Sequence, residues 1–262
     1  MDRVEQHMDQ PQYNIINDLR ALMAYHHSIG IEEYPGPAMS LPLVERRVKS
    51  AGRASLPPQS QAITAGSERP EDIATEVNSC RNCELAAQRV MPVPGRGTAR
   101  ARLLIVGGWL TTPELAGSSS DLIFGLEEDR MLARMLEAIH LDPADVFVTN
   151  ILKCGLPASC QPAANHVHCC LSYLQRQIVA IAPVLLCSMG SMATRALLDM
   201  PQSLSQLRGR CHLYKGLDGR QIPLIPTYHP SYLLQATEMK AETWKDLQLI
   251  EQKLAGKEQD TL

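Results

Sequence analysis

Eight cysteines in a chain of 262 residues stand out first, four of them crowded into KCGLPASCQPAANHVHCC (residues 153–170). Cys80 and Cys83 form a C-x2-C pair, a spacing that lets two thiolates approach one metal centre from a single turn. Two further sulfurs would complete a site. Cys154 and Cys170 suit, one just after a strand-like run and the other on the helical segment that follows. Cys187 falls inside an apolar strand pattern and reads as a small buried hydrophobe. Cys160 and Cys211 lie in loop-like stretches as free thiols, while Cys169 points about 100° away from Cys170 around a helix. Four thiolates serve either zinc or an iron–sulfur cluster. Zinc sites usually pair two close knuckles; here the second pair is spread out, which favours a cluster. His166 and His168 could replace a sulfur, but histidines on a helix surface are more often simply solvated.

The elements that must position these groups alternate in type. Leu103–Val106, Val146–Ile151, Val184–Met189 and Ile222–Ile225 are short apolar runs suited to buried parallel strands. Between them, Met131, Leu132, Met135, Leu136 and Ile139 make one helical face, and Leu171, Leu174, Ile178 and Ile181 another. A last amphipathic helix covers about 239–255. This alternation predicts an α/β sandwich around a mostly parallel sheet. Ligands in such folds sit beyond the carboxyl ends of the strands, so the loops after Val106, Ile151, Met189 and Ile225 are the places to look. Upstream, Ile15, Ile16, Leu19, Leu22 and Met23 predict a helix over 13–29, within an N-terminal segment of 1–37. The aperiodic Pro/Ser/Gln-rich stretch 38–75 reads as a flexible linker, leaving the domain at 76–256. The polar N-terminus lacks the apolar core of a signal peptide, and no run suits a membrane span. A cytoplasmic monomer is expected, with reduced thiols used for metal rather than disulfides. The net charge of −3 neither announces nor forbids a nucleic-acid partner.

The C-x2-C, TNILKC, the cysteine of CLSYL, MGSMA (189–193), LRG (207–209) and PTYHPSYLL occur in this order over roughly 78–252. That combination resembles the iron–sulfur (family 4) uracil-DNA glycosylases. The resemblance implies a three-layer α/β/α sandwich with a four-stranded parallel sheet. It also implies a [4Fe–4S] cluster held by Cys80, Cys83, Cys154 and Cys170, and hydrolysis of the N-glycosidic bond of uracil in single- or double-stranded DNA, a base-excision repair step. Phe124 matches the family's stacking phenylalanine, Asn150 the asparagine that reads the uracil edge, and His229 the histidine that donates to the uracil oxygen where charge grows. Gly107 matches the first glycine of the family's first motif.

Departures cluster around that motif. Where the family carries a Gly-Glu-Ala-Pro-Gly type loop, this chain reads VGGWLTT, with Gly108 at the glutamate position, Leu110 at the proline and Thr111 at the second glycine. Leu126 and Asp129 replace glycines after Phe124. Glu114, Asp121, Glu127 and Glu128 lie near in sequence, and nothing in the sequence selects among them as a substitute carboxylate. Trp109 and Leu110 are expected to crowd the pocket. Two functional classes follow: a glycosylase, or a catalytically impaired iron–sulfur module that binds DNA or a protein. Arg96, Arg100 and Arg102, and then Arg208, Arg210, Lys215 and Arg220, form basic groups able to neutralise phosphates.

Overall fold

The computed structural model describes residues 68–112 and 121–256. The helix expected over 13–29, the linker up to residue 67 and Glu114 lie outside the described residues. Two short helices, α1 (Pro70–Ser79) and α2 (Leu85–Gln88), lead into strands β1 (Met91–Pro92) and β2 (Arg96–Gly97). Strands β3 (Leu103–Gly107) and β4 (Leu110–Thr112) precede helix α3 (Leu126–Ala138). Then come β5 (Val146–Asn150), β6 (Cys154–Pro157), helix α4 (Ala164–Ile181), β7 (Leu185–Met189) and helices α5 (Ser191–Leu198) and α6 (Leu204–Leu207). Strands β8 (His212–Lys215) and β9 (Gln221–Thr227) and helices α7 (Pro230–Gln235) and α8 (Lys240–Leu254) complete the domain.

The main sheet has six strands in the order β2-β5-β3-β7-β9-β8. Its four central strands are parallel and are the four apolar runs read from the sequence. The two edges, β2 and β8, run antiparallel to their neighbours and correct the expectation of a four-stranded sheet. Both edges are invisible to a search for apolar runs. One is a two-residue Arg-Gly, and the other, His212–Lys215, buries only Tyr214 and leaves Leu213 and Lys215 facing solvent.

Strand alternation sorts the core into two faces. Leu103, Ile105, Val146, Val148 and Ile225 point toward Leu132 and Met135 of α3 and Leu247 and Ile250 of α8. Leu104, Val106, Phe147, Leu186 and Leu224 point the other way, toward Leu174 and Ile178 of α4 and Leu197 of α5. Burial on both faces explains why these strands read as continuous apolar runs.

A second, smaller sheet, ordered β1-β6-β4, lies outside the main one. Beside it, Ile73 and Val77 of α1 are fully buried with Leu85, Leu152, Leu156 and Tyr173. Helix α1 therefore starts inside the stretch expected to be linker, and that boundary moves to before Pro70. Proline at the first helical position is compatible with a helix start, and the linker reading overlooked that signal. Arg176 of α4 holds this helix through Glu68 and through Glu76 at 2.7 Å. Among the described residues no helix is long and apolar enough to cross a membrane.

The basic groups divide. Arg208 turns inward: its guanidinium bonds Asp246 at 2.9 and 3.0 Å and Glu242 at 2.9 Å, and it lies 5.3 Å from the Tyr228 ring centroid. Arg102 donates to the Leu254 carbonyl at the end of α8, and Arg220 pairs with Asp218 at 2.5 Å. Arg208 is thus withdrawn from any phosphate role, while Arg100, Arg210 and Lys215 stay exposed. Thr227, the last residue of β9, donates to the same Asp246 at 2.7 Å, so this buried pair ties α8 to the strand end. Arg208→Ala leaves the fully buried Asp246 carboxylate without its cation. Urea unfolding should show a loss of about 3–5 kcal/mol, the usual scale for breaking a buried pair. Arg220→Ala, at a half-exposed pair, should change stability by less than about 1 kcal/mol.

Candidate active site

Gly107 and Asn150 end the parallel neighbours β3 and β5 and lie opposite each other in register, at the carboxyl edge of the sheet. A Cβ on Gly107 would enter the Phe124 ring and stand 2.6 Å from the Asn150 Oδ1, so only glycine lets ring and amide meet there. The Asn150 side chain is fully buried, and its Nδ2 donates to the Ile123 carbonyl at 2.5 Å. Its Oδ1 has no partner among the described residues. An orphaned buried acceptor is costly and uncommon, and it points at a missing donor.

Phe124 is positioned by Asp129. The buried Asp129 carboxylate accepts from the backbone N–H of Ile123 at 2.9 Å and of Phe124 at 3.2 Å. The Phe124 ring then lies 4.7 Å from the His229 ring, tilted by 60°. His229 stands just before Pro230, at the start of α7, and its Nδ1 accepts from the Ser231 backbone N–H at 3.2 Å. That bond places the neutral ring's proton on Nε2, leaving one donor. Burial drives the imidazole pKa from its ordinary 6.5 down to about 4, so the ring is neutral at physiological pH.

Phe124, His229 and Ser231 line a cavity of about 380 Å³ together with Gly108, Trp109, Thr111, Glu128, Met189 and Met192; Asn150 does not line it and lies fully buried behind the Phe124 ring and Gly107. The VGGWLTT stretch ends β3, bends at Gly108–Trp109 and continues as β4, whose Leu110–Thr112 pairs in parallel with Gly155–Pro157 of β6. Leu110 turns into the core, correcting the expectation that it crowds the pocket, while Trp109 and Thr111 line the wall. A Cβ at Gly108 would meet only the Met192 side chain, with Sδ at 3.2 Å.

The cysteines sort by burial. Cys80, Cys83, Cys154 and Cys170 all border one apolar cluster with Ile73, Leu152 and Tyr173, and Cys160 packs against it too. Burial pushes the Cys170 thiol up to about 11 and raises Cys154 as well; the Lys153 N–H, 3.2 Å from the Cys170 Sγ, opposes the first shift. Cys187 is fully buried in β7, whereas Cys169 and Cys211 are exposed. Among the described residues no three His, Cys, Asp or Glu side chains converge on a single metal ion. His168 is exposed, but His166 departs from the solvated expectation: it is buried, and its Nδ1 accepts from the Ala163 N–H at 2.9 Å, capping α4.

Lys153 escaped the sequence reading altogether. Its fully buried Nζ bonds Thr149 Oγ1 at 2.6 Å, the Asn150 carbonyl at 2.8 Å and Gln177 Oε1 at 2.5 Å. Desolvation pulls its pKa down to about 7. The available signal was a lone lysine between an apolar pair and a cysteine, directly after the strand that ends in Asn150.

Residues 94–248 match the uracil DNA glycosylase superfamily. The chain is 31% identical over 202 residues to the type-4 uracil-DNA glycosylase of Archaeoglobus fulgidus, a match covering 74% of this chain and 98% of that protein. It is 31% identical over 179 residues to the type-4 enzyme of Pyrobaculum aerophilum, covering 65% and 87%. For the type-4 enzyme of Thermotoga maritima the figures are 27% over 187 residues, covering 69% and 92%. The superfamily match takes in Gly107, Phe124, Asn150 and His229. The chain belongs to the uracil-DNA glycosylase superfamily.

Proposed function

We propose that this protein hydrolyses the N-glycosidic bond of uracil in DNA, and that Cys80, Cys83, Cys154 and Cys170 hold a [4Fe–4S] cluster. The observation that carries the enzymatic reading is the buried, unpartnered Asn150 Oδ1 beside the Phe124–His229 pair. A base must leave the helix stack before its glycosidic bond can be reached. Once in the cavity, uracil stacks on Phe124. Its N3–H, the one donor on its pairing edge, meets the Asn150 Oδ1, while the amide's other end stays tied to Ile123. As the C1′–N1 bond breaks, negative charge grows on the uracil O2, and the His229 Nε2–H is the donor for it. A neutral imidazole suits this task because it donates without first having to lose or gain a proton.

The residues present fit the cluster. Four thiols border one apolar cluster, and as thiolates they would supply the four donors such a cluster takes. Bound there, it would cross-link the turn between α1 and α2 to β6 and α4, and would deprotonate thiols that burial alone keeps protonated.

Uracil release from single- and double-stranded DNA tests the enzymatic reading directly. His229→Ala should slow release by roughly 10²–10³-fold, the usual scale for one oxyanion donor. Because the imidazole is already neutral above about pH 4, the wild-type rate should show no histidine limb near pH 6.5. A rate that falls with a midpoint near pH 6.5 and loses that limb in His229→Gln would contradict the neutral-donor role. The same shift has a stability signature. Below 6.5 the unfolded chain gains a proton on this ring that the folded one refuses until about 4. Stability is therefore lost as pH falls through that window, and His229→Gln should flatten the loss.

Protein purified without oxygen should carry about four irons per chain, as the proposed cluster requires. Cys170→Ala should lose them, whereas Cys169→Ala and Cys187→Ala should keep them. A colourless protein loaded with zinc would refute the cluster. An iron-loaded protein that binds DNA but releases no uracil would refute the enzyme and leave a binding module.

A further inference from the structure

The cavity has one carboxylate among its described lining residues, and it belongs to Glu128. Among the described residues, the other acids beside the altered motifs do not reach the cavity. Asp129 is consumed by the Ile123 and Phe124 amides, and Glu127 bonds Arg130 at 2.6 Å on the exposed side of α3. Asp121 is exposed at the surface and does not line the cavity. The Glu128 carboxylate leans back over Gly125, and its Oε2 occupies the space a Cβ there would fill. Gly125 also sits at φ 140°, a conformation that side chains rarely adopt. Glycine at 125 and glutamate at 128 thus form one unit, a cradle that keeps an acid next to the Phe124 turn and inside the cavity.

We propose that Glu128 is the catalytic carboxylate of this chain, supplying from the first turn of α3 the general base that the VGGWLTT strand lacks. The assignment rests on the glycosylase reading above. Water attacks C1′ of the deoxyribose as the C1′–N1 bond breaks, and the bonding pair leaves on uracil. The proton lost by the water passes to the Glu128 carboxylate and from there to solvent, while the departing uracil anion takes a proton from solvent. The products are free uracil and an abasic sugar. Before the attack, the same negative charge faces the oxocarbenium-like sugar that forms as the bond stretches. A glutamate in a first helical turn can also simply favour the helix start. Glu127 shares that environment without reaching the cavity, which makes it the internal control.

The experiment measures single-turnover release of uracil from a single-stranded oligonucleotide, with sodium formate as the added small carboxylate. Glu128→Gln and Glu128→Ala should slow release by about 10²–10⁴-fold, the range for one general base. Their affinity for uracil-free DNA and their iron content should stay at wild-type levels, and Glu127→Gln should keep the wild-type rate. Formate should restore part of the rate to Glu128→Ala, where it has room, and leave wild type unchanged. An unchanged rate in Glu128→Gln, with wild type active, overturns the assignment while leaving the glycosylase reading intact. So does a slow Glu128→Ala that formate fails to help, since a helix-start role predicts that result. If wild type itself releases no uracil from either DNA form, the glycosylase reading falls and takes this assignment with it.

Discussion

A buried amine holds together the two halves of this molecule's chemistry. Lys153 lies between Asn150, which ends a strand of the main sheet, and Cys154, which opens a strand of the smaller sheet at the sulfur quartet. Removing an ammonium from water is expensive, and its pKa falls to about 7 in consequence. Three oxygens offset that cost, one of them the carbonyl of Asn150 itself. Gln177 extends the network from α4 to the Pro94 carbonyl at 2.6 Å, ahead of the first edge strand. Meanwhile the lysine's own N–H faces the Cys170 sulfur. The end of β5 and the start of β6 therefore share one short backbone segment, fixed on one side by the Nζ network and on the other by the Cys170 sulfur.

Residues 106–112 carry the chain from the main sheet to the small one. The short strand at their end hides Leu110 and presents Thr111 to the cavity, with Trp109 beside it from the preceding bend. Gly107 survives because ring and amide both press on its Cα. At position 129 a carboxylate fastens the Phe124 turn through two backbone donors. The aromatic and imidazole groups share one cavity, and the amide lies buried against the ring's turn.

Legibility from sequence followed burial. The four central strands were plain because both of their faces are covered, which leaves unbroken apolar runs. The edges were not, since a two-residue strand and a solvent-facing one carry no such signal. Helix α1 was hidden by its proline-rich surroundings, although Ile73 and Val77 already stood at helical spacing. At the candidate site, the carboxamide and imidazole positions could be matched by motif. What could not be matched were residues whose role depends on direction: Lys153 pointing inward, Arg208 withdrawn from the surface, Glu128 rather than Glu127 facing the cavity. Residue type gives chemistry, but the direction of a side chain depends on register and packing that a single sequence does not state.

The strand made from the first motif has a mechanical consequence. One wall of the cavity, with Trp109 and Thr111, is stitched to the small sheet through β6, while the opposite wall of Phe124 and His229 hangs from the main sheet. The cavity therefore borders both sheets, which the chain links between Pro92 and Arg96, between Gly107 and Leu110, and between Asn150 and Cys154. Losing the β4–β6 pairing would therefore loosen the Trp109–Thr111 wall while leaving every strand of the main sheet with its neighbours.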